Sequence, residues 1–375
     1  MTVVELAQDP DSEIRIGTLA GYRVALMQAI DCDVHCAPAA YDALFPYLSD
    51  YWRQYIQEAG VRLTGVAHAY PPGAPTTASP AVRELAGPPV PDSYGALKEH
   101  VLDRADPRFA VLNCLTGFET HRNAHFSAAV AGAINDWLLE EFLSRDDRLR
   151  ASLVVSTISV QDAVAEIERI GGDPRFVQVL LPIRSDVPWG NKANHPIFEA
   201  AREQGLQIGL HAWGRAGKAA TPSGFTTTYF EDYLGNQAIA QAQLLSFVAE
   251  GVFTRWPDLQ VMLMECGFVW LPPLLWRFDK DWRGVWREVP WVKGPPSAYV
   301  LKHFRATTAP AHLPRDDAGL GQLLEMVDLG ALLAYASDYP HDHGDGVPTL
   351  LDRLDEPARS AVMGGNAAAL YGLPL

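Results

Sequence analysis

Eight short apolar runs recur along this 375-residue chain, and most are followed by a stretch with helical spacing, so the sequence reads as repeated strand and helix units. The runs centre near residues 28, 111, 153, 179, 208, 262, 305 and 334. FAVLNCLT (109–116), LRASLVVST (149–157), FVQVLLPI (176–183), LQIGLHAWG (206–214), LQVMLMECG (259–267) and ALLAYASDYP (331–340) are nearly continuous rather than alternating, as expected of strands covered on both faces. Between them HPIFEAAREQG is stopped by Gly205, IAQAQLLSFVAEGVFTRWP ends before Pro257, and WLPPLLWRFDKDWRGVW carries proline in its first turn. Eight such units predict an α/β fold, a closed (β/α)8 TIM barrel. An open doubly wound sheet is the competitor, but no strand is followed by G-x-G-x-x-G or by a P-loop.

Residues 1–25 read as an N-terminal arm with a short hairpin around Ala20-Gly21, and residues 26–375 as the barrel domain. AAYDALFPYLSDYWRQYIQEAG has helical spacing, with Tyr47, Trp52 and Tyr55 as core aromatics. Residues 71–91, rich in Pro, Ala, Gly and Thr, predict a surface excursion. No run of eighteen apolar residues could span a bilayer, and MTVVELAQDPDSEIR lacks the basic start and apolar core of a secretory signal, so a cytoplasmic protein is expected. A net charge of -15 argues against nucleic acid or anionic membrane and leaves a small molecule as the expected partner. Cys32, Cys36, Cys114 and Cys266 sit in or beside apolar runs, which predicts reduced, buried thiols.

In MQAIDCDVHCAP (27–38) an apolar run ends in Asp33-Val34-His35. Residues i and i+2 of a strand share a face, so Asp33 and His35 could offer an oxygen and a nitrogen to one ion, with Asp31 on the same face. In a (β/α)8 barrel, chemistry lies where the strands end. The fifth run ends in His211, the sixth in Glu265, and the eighth in Asp338, with His341 and His343 just beyond. Asp33, His35, His211 and Asp338 form an open shell suited to one divalent ion, Zn2+ first and Mn2+ second, with a position left for water.

At this point the chain resembles the amidohydrolase superfamily, in the amidohydrolase-related branch of aminocarboxymuconate semialdehyde decarboxylase and the resorcylate-type decarboxylases. IDCDVH, HPIFEAAREQGLQIGLHAWG, LLSFVAEGVFTRWPDLQVMLMECGFVWLPPLLWRFD, YASDYPH and MGGNAAALYGL carry the resemblance over nearly the whole chain. It implies metal ligands on the first strand, a His on the fifth and an Asp on the eighth, and these roles fall on Asp33, His35, His211 and Asp338. There are two departures. Asp33 stands where many relatives have a His, which favours a more oxygen-rich site. Glu265 stands where the branch's decarboxylases have the His that handles protons.

The leading expectation is a metal-dependent hydrolase of a small carboxylated or aromatic substrate, acting through a metal-activated water. Asp338 would be ligand and proton acceptor, with Glu265 and His341 as further acid/base groups. Trp213, Arg215 and Arg277 are candidates to hold the substrate, the arginines through its carboxylate. The alternative is non-oxidative decarboxylation of an aromatic or enol-type acid at the same metal. A ligand-binding barrel without catalysis is a third reading. The Trp-rich stretch 270–291 is either core or a dimer face, and the resemblance implies a homodimer.

Overall fold

The computed structural model describes residues 29–62, 90–116, 122–214, 219, 221 and 223–375, without the side chains of residues 213, 214 and 229. The expected arm at 1–25 and most of the excursion at 71–91 lie outside these residues. The described residues form one sheet of eight parallel strands in sequential order: β1 (Ile30–Cys36), β2 (Phe109–Cys114), β3 (Leu149–Val154), β4 (Phe176–Arg184), β5 (Gln207–Gly214), β6 (Val261–Met264), β7 (Phe304–Thr307) and β8 (Leu333–Ala334). The sheet closes on itself. Cys32 N–H donates to the Tyr335 carbonyl and His35 N–H to the Tyr339 carbonyl, each at 2.9 Å, which brings the segment after β8 against β1. Helices interleave with the strands, so this is the (β/α)8 barrel that the repeated units predict.

The longer helices are α1 (Asp50–Ala59), α2 (Ala124–Leu138), α3 (Val160–Ile170), α4 (His195–Glu203), α5 (Tyr229–Ala249), α6 (Leu271–Val285), α7 (Pro296–His303), α8 (Asp317–Met326), α9 (Gly346–Arg353) and α10 (Asn366–Tyr371). Two depart from the sequence reading. The helix expected over 39–60 is split: Tyr41–Tyr47 is a 3-10 turn containing Pro46, and only Asp50–Ala59 is α-helical. Pro46 has no N–H to give to a continuous helix. Its aromatics are core, as expected: Trp52 and Tyr55 set their rings edge-on to Phe126 at 5.4 and 5.5 Å, and Tyr47 packs on the same core. Helix α5 starts well before the expected apolar run, because Thr228 and Glu231 form a capping box.

The Trp-rich stretch divides between core and surface. Trp270 is buried, whereas Trp276 and Trp286 are 57% and 44% exposed. All four cysteines are buried thiols outside any disulfide. No described helix is long and apolar enough to cross a membrane.

The barrel interior is less apolar than the strand runs imply. Asn113 on β2, Ser152 on β3 and Gln178 on β4 are fully buried and joined by hydrogen bonds. Room for Gln178 depends on Gly209 of β5, where an added Cβ would lie 2.7 Å from Gln178 Cδ and 2.8 Å from Met264 Cε. Gly209→Ala therefore overpacks the centre of the barrel and should cost about 1–3 kcal/mol. Thermal melting of the metal-free variant checks this, and an unchanged Tm contradicts it.

Candidate metal centre

Strand β1 is buried along its whole length, so Asp33 and His35 lie inside it rather than beyond its end. Their shared side faces the barrel interior, where His211 arrives from β5 and Asp338 from the turn after β8. One ligand-type atom from each of the four lies within 4.8 Å of the other three, and all four residues are buried. The closest approaches are His35 Nε2 to Asp338 Oδ1 at 2.7 Å, His211 Nε2 to Asp33 Oδ2 at 3.1 Å and His35 Nε2 to Asp33 Oδ1 at 3.8 Å.

Asp31 does not join them, contrary to the i, i+2 expectation. The β1–β2 register shifts between Asp31 and Val34, and such a bulge re-aims side chains. Asp31 Oδ1 instead accepts from Ser337 N–H at 2.9 Å and Asp33 N–H at 3.3 Å. Burial pushes its pKa up to about 7, against the lowering effect of those Ser337 hydrogen bonds. Asp31 thus ties the β8 turn to β1. Within that turn Asp338 has φ 56°, and Glu265, just past β6, has φ 55°. Non-glycine residues rarely occupy this left-handed region, and such strain gathers at functional sites.

Asp338 is the hub. Its Oδ1 meets His35 Nε2 at 2.7 Å and His341 Nδ1 at 3.1 Å, and its Oδ2 meets His343 Nε2 at 2.6 Å. Burial alone would raise its pKa, but hydrogen bonds from His341, His343 and His35 prevail and hold it well below the usual carboxylate range. Burial also opposes charge on His341, yet Asp338, Glu265 and Asp33 bring its pKa up to about 9. For His35 burial wins and the pKa falls, which favours the neutral imidazole a metal needs. On His211 the burial effect is outweighed by Asp33 and Asp338, and its pKa rises.

Glu265 and His341 stand beside this set. With His35 and Asp338 they form a second, overlapping group of ligand-type atoms within 4.8 Å. Glu265 Oε2 lies 3.9 Å from His211 Nδ1, a buried nitrogen with no hydrogen-bond partner. Burial, and then the Asp338 charge, raise the Glu265 carboxyl well above its ordinary range.

The four residues fit a divalent ion. Two carboxylates and two imidazoles converge, with no Arg or Lys among the described residues paired to either carboxylate, and the protons on their facing nitrogens are those a cation would replace. Of the expected substrate-holding residues, the Trp213 side chain and Arg215 lie outside the described residues. Arg277 is not brought to the site: it points outward from α6, 79% exposed, and pairs with Asp281 at 3.1 Å. One residue the sequence reading passed over belongs here. Asn113 Nδ2 donates to Asp33 Oδ1 at 2.7 Å, and its signal was a lone amide inside the apolar run FAVLNCLT.

Several solved structures share this architecture. An amidohydrolase from Mycobacterium avium subsp. paratuberculosis is 19% identical with TM-score 0.68, covering 93% of this chain and 98% of its own. The 5-carboxyvanillate decarboxylase of Sphingomonas paucimobilis is 18% identical with TM-score 0.64, covering 93% and 100%. A dihydroxybenzoic acid decarboxylase from a Polaromonas species, with bound manganese and the inhibitor 2-nitroresorcinol, is 17% identical with TM-score 0.65, covering 92% and 97%. At these identities the likeness shows the fold. Among curated proteins none matches the chain. The amidohydrolase family model, however, matches residues 30–373, nearly the whole chain and all four residues of the cluster, and by that match the chain belongs to the amidohydrolase family.

Proposed function

We propose that this protein is a metal-dependent decarboxylase of a small aromatic or enol-type carboxylic acid, with Asp33, His35, His211 and Asp338 as ligands. The observation that carries the reading is the state of Asp338. Its oxygens are engaged by His341 Nδ1 and His343 Nε2, both from outside the ligand set, so it is a poor proton acceptor. Hydrolysis, the leading expectation from sequence, asked Asp338 for that role. Decarboxylation needs the opposite, an acid near the ring carbon that loses its carboxyl group. Glu265 and His341 stand beside the ligand set and can supply one.

A divalent ion, when bound, supplies the positive charge that anchors a substrate carboxylate and an adjacent hydroxyl. The chain's own part is to orient and to move a proton. His341 and His343 hold Asp338 in place, and Glu265 stands within the same group of ligand-type atoms. As the bond between ring carbon and carboxyl breaks, its electrons stay on the ring. The carbon is then protonated by Glu265 or His341, and carbon dioxide leaves. The decarboxylase activities named for two of the structural neighbours support this reading. So does the manganese in one of them, which together with two carboxylate ligands favours Mn2+ over Zn2+. The proposal keeps a homodimer, with Trp276 and Trp286 as the apolar face available for it.

Hydrolysis stays as a second reading because Glu265 stands where the branch's decarboxylases have a His. Product analysis on hydroxylated aromatic acids separates the two. Decarboxylation in D2O releases carbon dioxide and leaves one deuterium on the ring carbon. Solvent 18O in the product, with no carbon dioxide, overturns the proposal.

A further inference from the structure

Beneath the cluster a file of polar side chains, buried except for the half-buried Tyr371 at its end, crosses the barrel core. Tyr371, the last residue of α10, has its hydroxyl 2.9 Å from Gln178 Oε1. Gln178 Nε2 lies 2.9 Å from Ser152 Oγ, Ser152 Oγ 2.5 Å from Asn113 Oδ1, and Asn113 Nδ2 2.7 Å from Asp33 Oδ1. Polar groups in a barrel interior are costly unless satisfied, and here each is satisfied by the next.

The file has only one possible polarity. An ionised Asp33 only accepts, so Asn113 must turn its NH2 toward it and its oxygen away. The single proton of Ser152 then goes to that oxygen. Ser152 Oγ must in turn accept from the Gln178 NH2, which leaves Gln178 Oε1 to accept from Tyr371. Every donor points toward the metal ligand.

Resting on the metal-site reading above, we propose that Asn113 is a positioning residue for Asp33, and that Ser152, Gln178 and Tyr371 lock the Asn113 amide in its donating orientation. The amide occupies Asp33 Oδ1 and leaves Oδ2, the oxygen facing His211, for the ion. A carboxylate so held offers the ion one atom. The C-terminal helix α10 is thereby part of the metal site although it supplies no ligand.

The test is Mn2+ titration calorimetry of metal-stripped protein, with thermal melting of the metal-free form alongside. Asn113→Ala should weaken Mn2+ binding roughly 10- to 100-fold, the effect usual for a group that orients a metal ligand. Ser152→Ala and Tyr371→Phe each remove only a hydroxyl from the file behind Asn113 and should each weaken it on the order of 10-fold. They decide the matter even if Asn113→Ala fails to fold. Wild-type affinity in both, whatever their melting temperatures, overturns the inference and makes the file a packing feature. Wild-type protein that binds no Mn2+ retires the metal-site reading itself.

Discussion

Replacing His211 with alanine is expected to cost the protein its divalent ion and roughly 10³-fold or more in turnover, while the barrel still folds. The imidazole is fully buried and is the only one of the set carried by β5. Without it three ligands remain, two of them carboxylates. Charge stabilisation by a bound ion is worth several kcal/mol, and about 1.4 kcal/mol is a factor of ten, which sets the expected loss. The fold should survive because Asp33 keeps its Asn113 hydrogen bond at Oδ1 when the partner at Oδ2 is lost. The remaining cost, one under-satisfied buried oxygen, is about 1–3 kcal/mol. Metal content and circular dichroism of the purified variant check both halves. Full metal occupancy would remove His211 from the ligand set.

Glu265→Gln carries the second large effect, a fall in turnover of roughly 10²-fold or more, the loss typical when a general acid or base is removed. A structural account would pair Glu265 with a buried arginine, but Arg277 on the helix that follows is on the surface with Asp281. The neighbours of Glu265 are instead Asp338, His341 and His211. Burial raises its folded-state pKa above the unfolded value. Such a group does no harm below the unfolded carboxyl pKa of about 4.3, and it destabilises the fold as pH climbs toward the folded pKa, because only the unfolded chain ionises freely. The metal-free variant, neutral at all pH, escapes this penalty. Its Tm should therefore equal or exceed wild type, by a margin that widens as pH rises above about 4.3. A near-wild-type rate with a large drop in Tm contradicts the catalytic role.

The barrel was legible because each strand is covered on both faces and so appears as an apolar run, for which a period of eight repeats leaves few topologies. The ligand cluster was legible for the opposite reason, since a charged residue that ends or interrupts such a run has to be explained. The same logic applied to Asn113, Ser152 and Gln178, but one uncharged polar residue in an apolar strand is weak contrast, and only the closed barrel shows that the three touch. Asp31 was misjudged because a bulge cannot be seen in a period of two. TTTYFED resembles a loop unless Thr228 and Glu231 are read as a capping box, so the start of helix α5 is hidden in the sequence. An arginine in WRFD does not say which face of α6 carries it, and Arg277 is turned to solvent with Asp281.

The most direct test of the site is a crystal of Mn2+-loaded protein measured at the manganese absorption edge. The account predicts one anomalous peak per chain, within coordination distance of Asp33, His35, His211 and Asp338, with Asp33 contributing a single oxygen. A peak elsewhere, or none in protein that elemental analysis shows to be loaded, would contradict it.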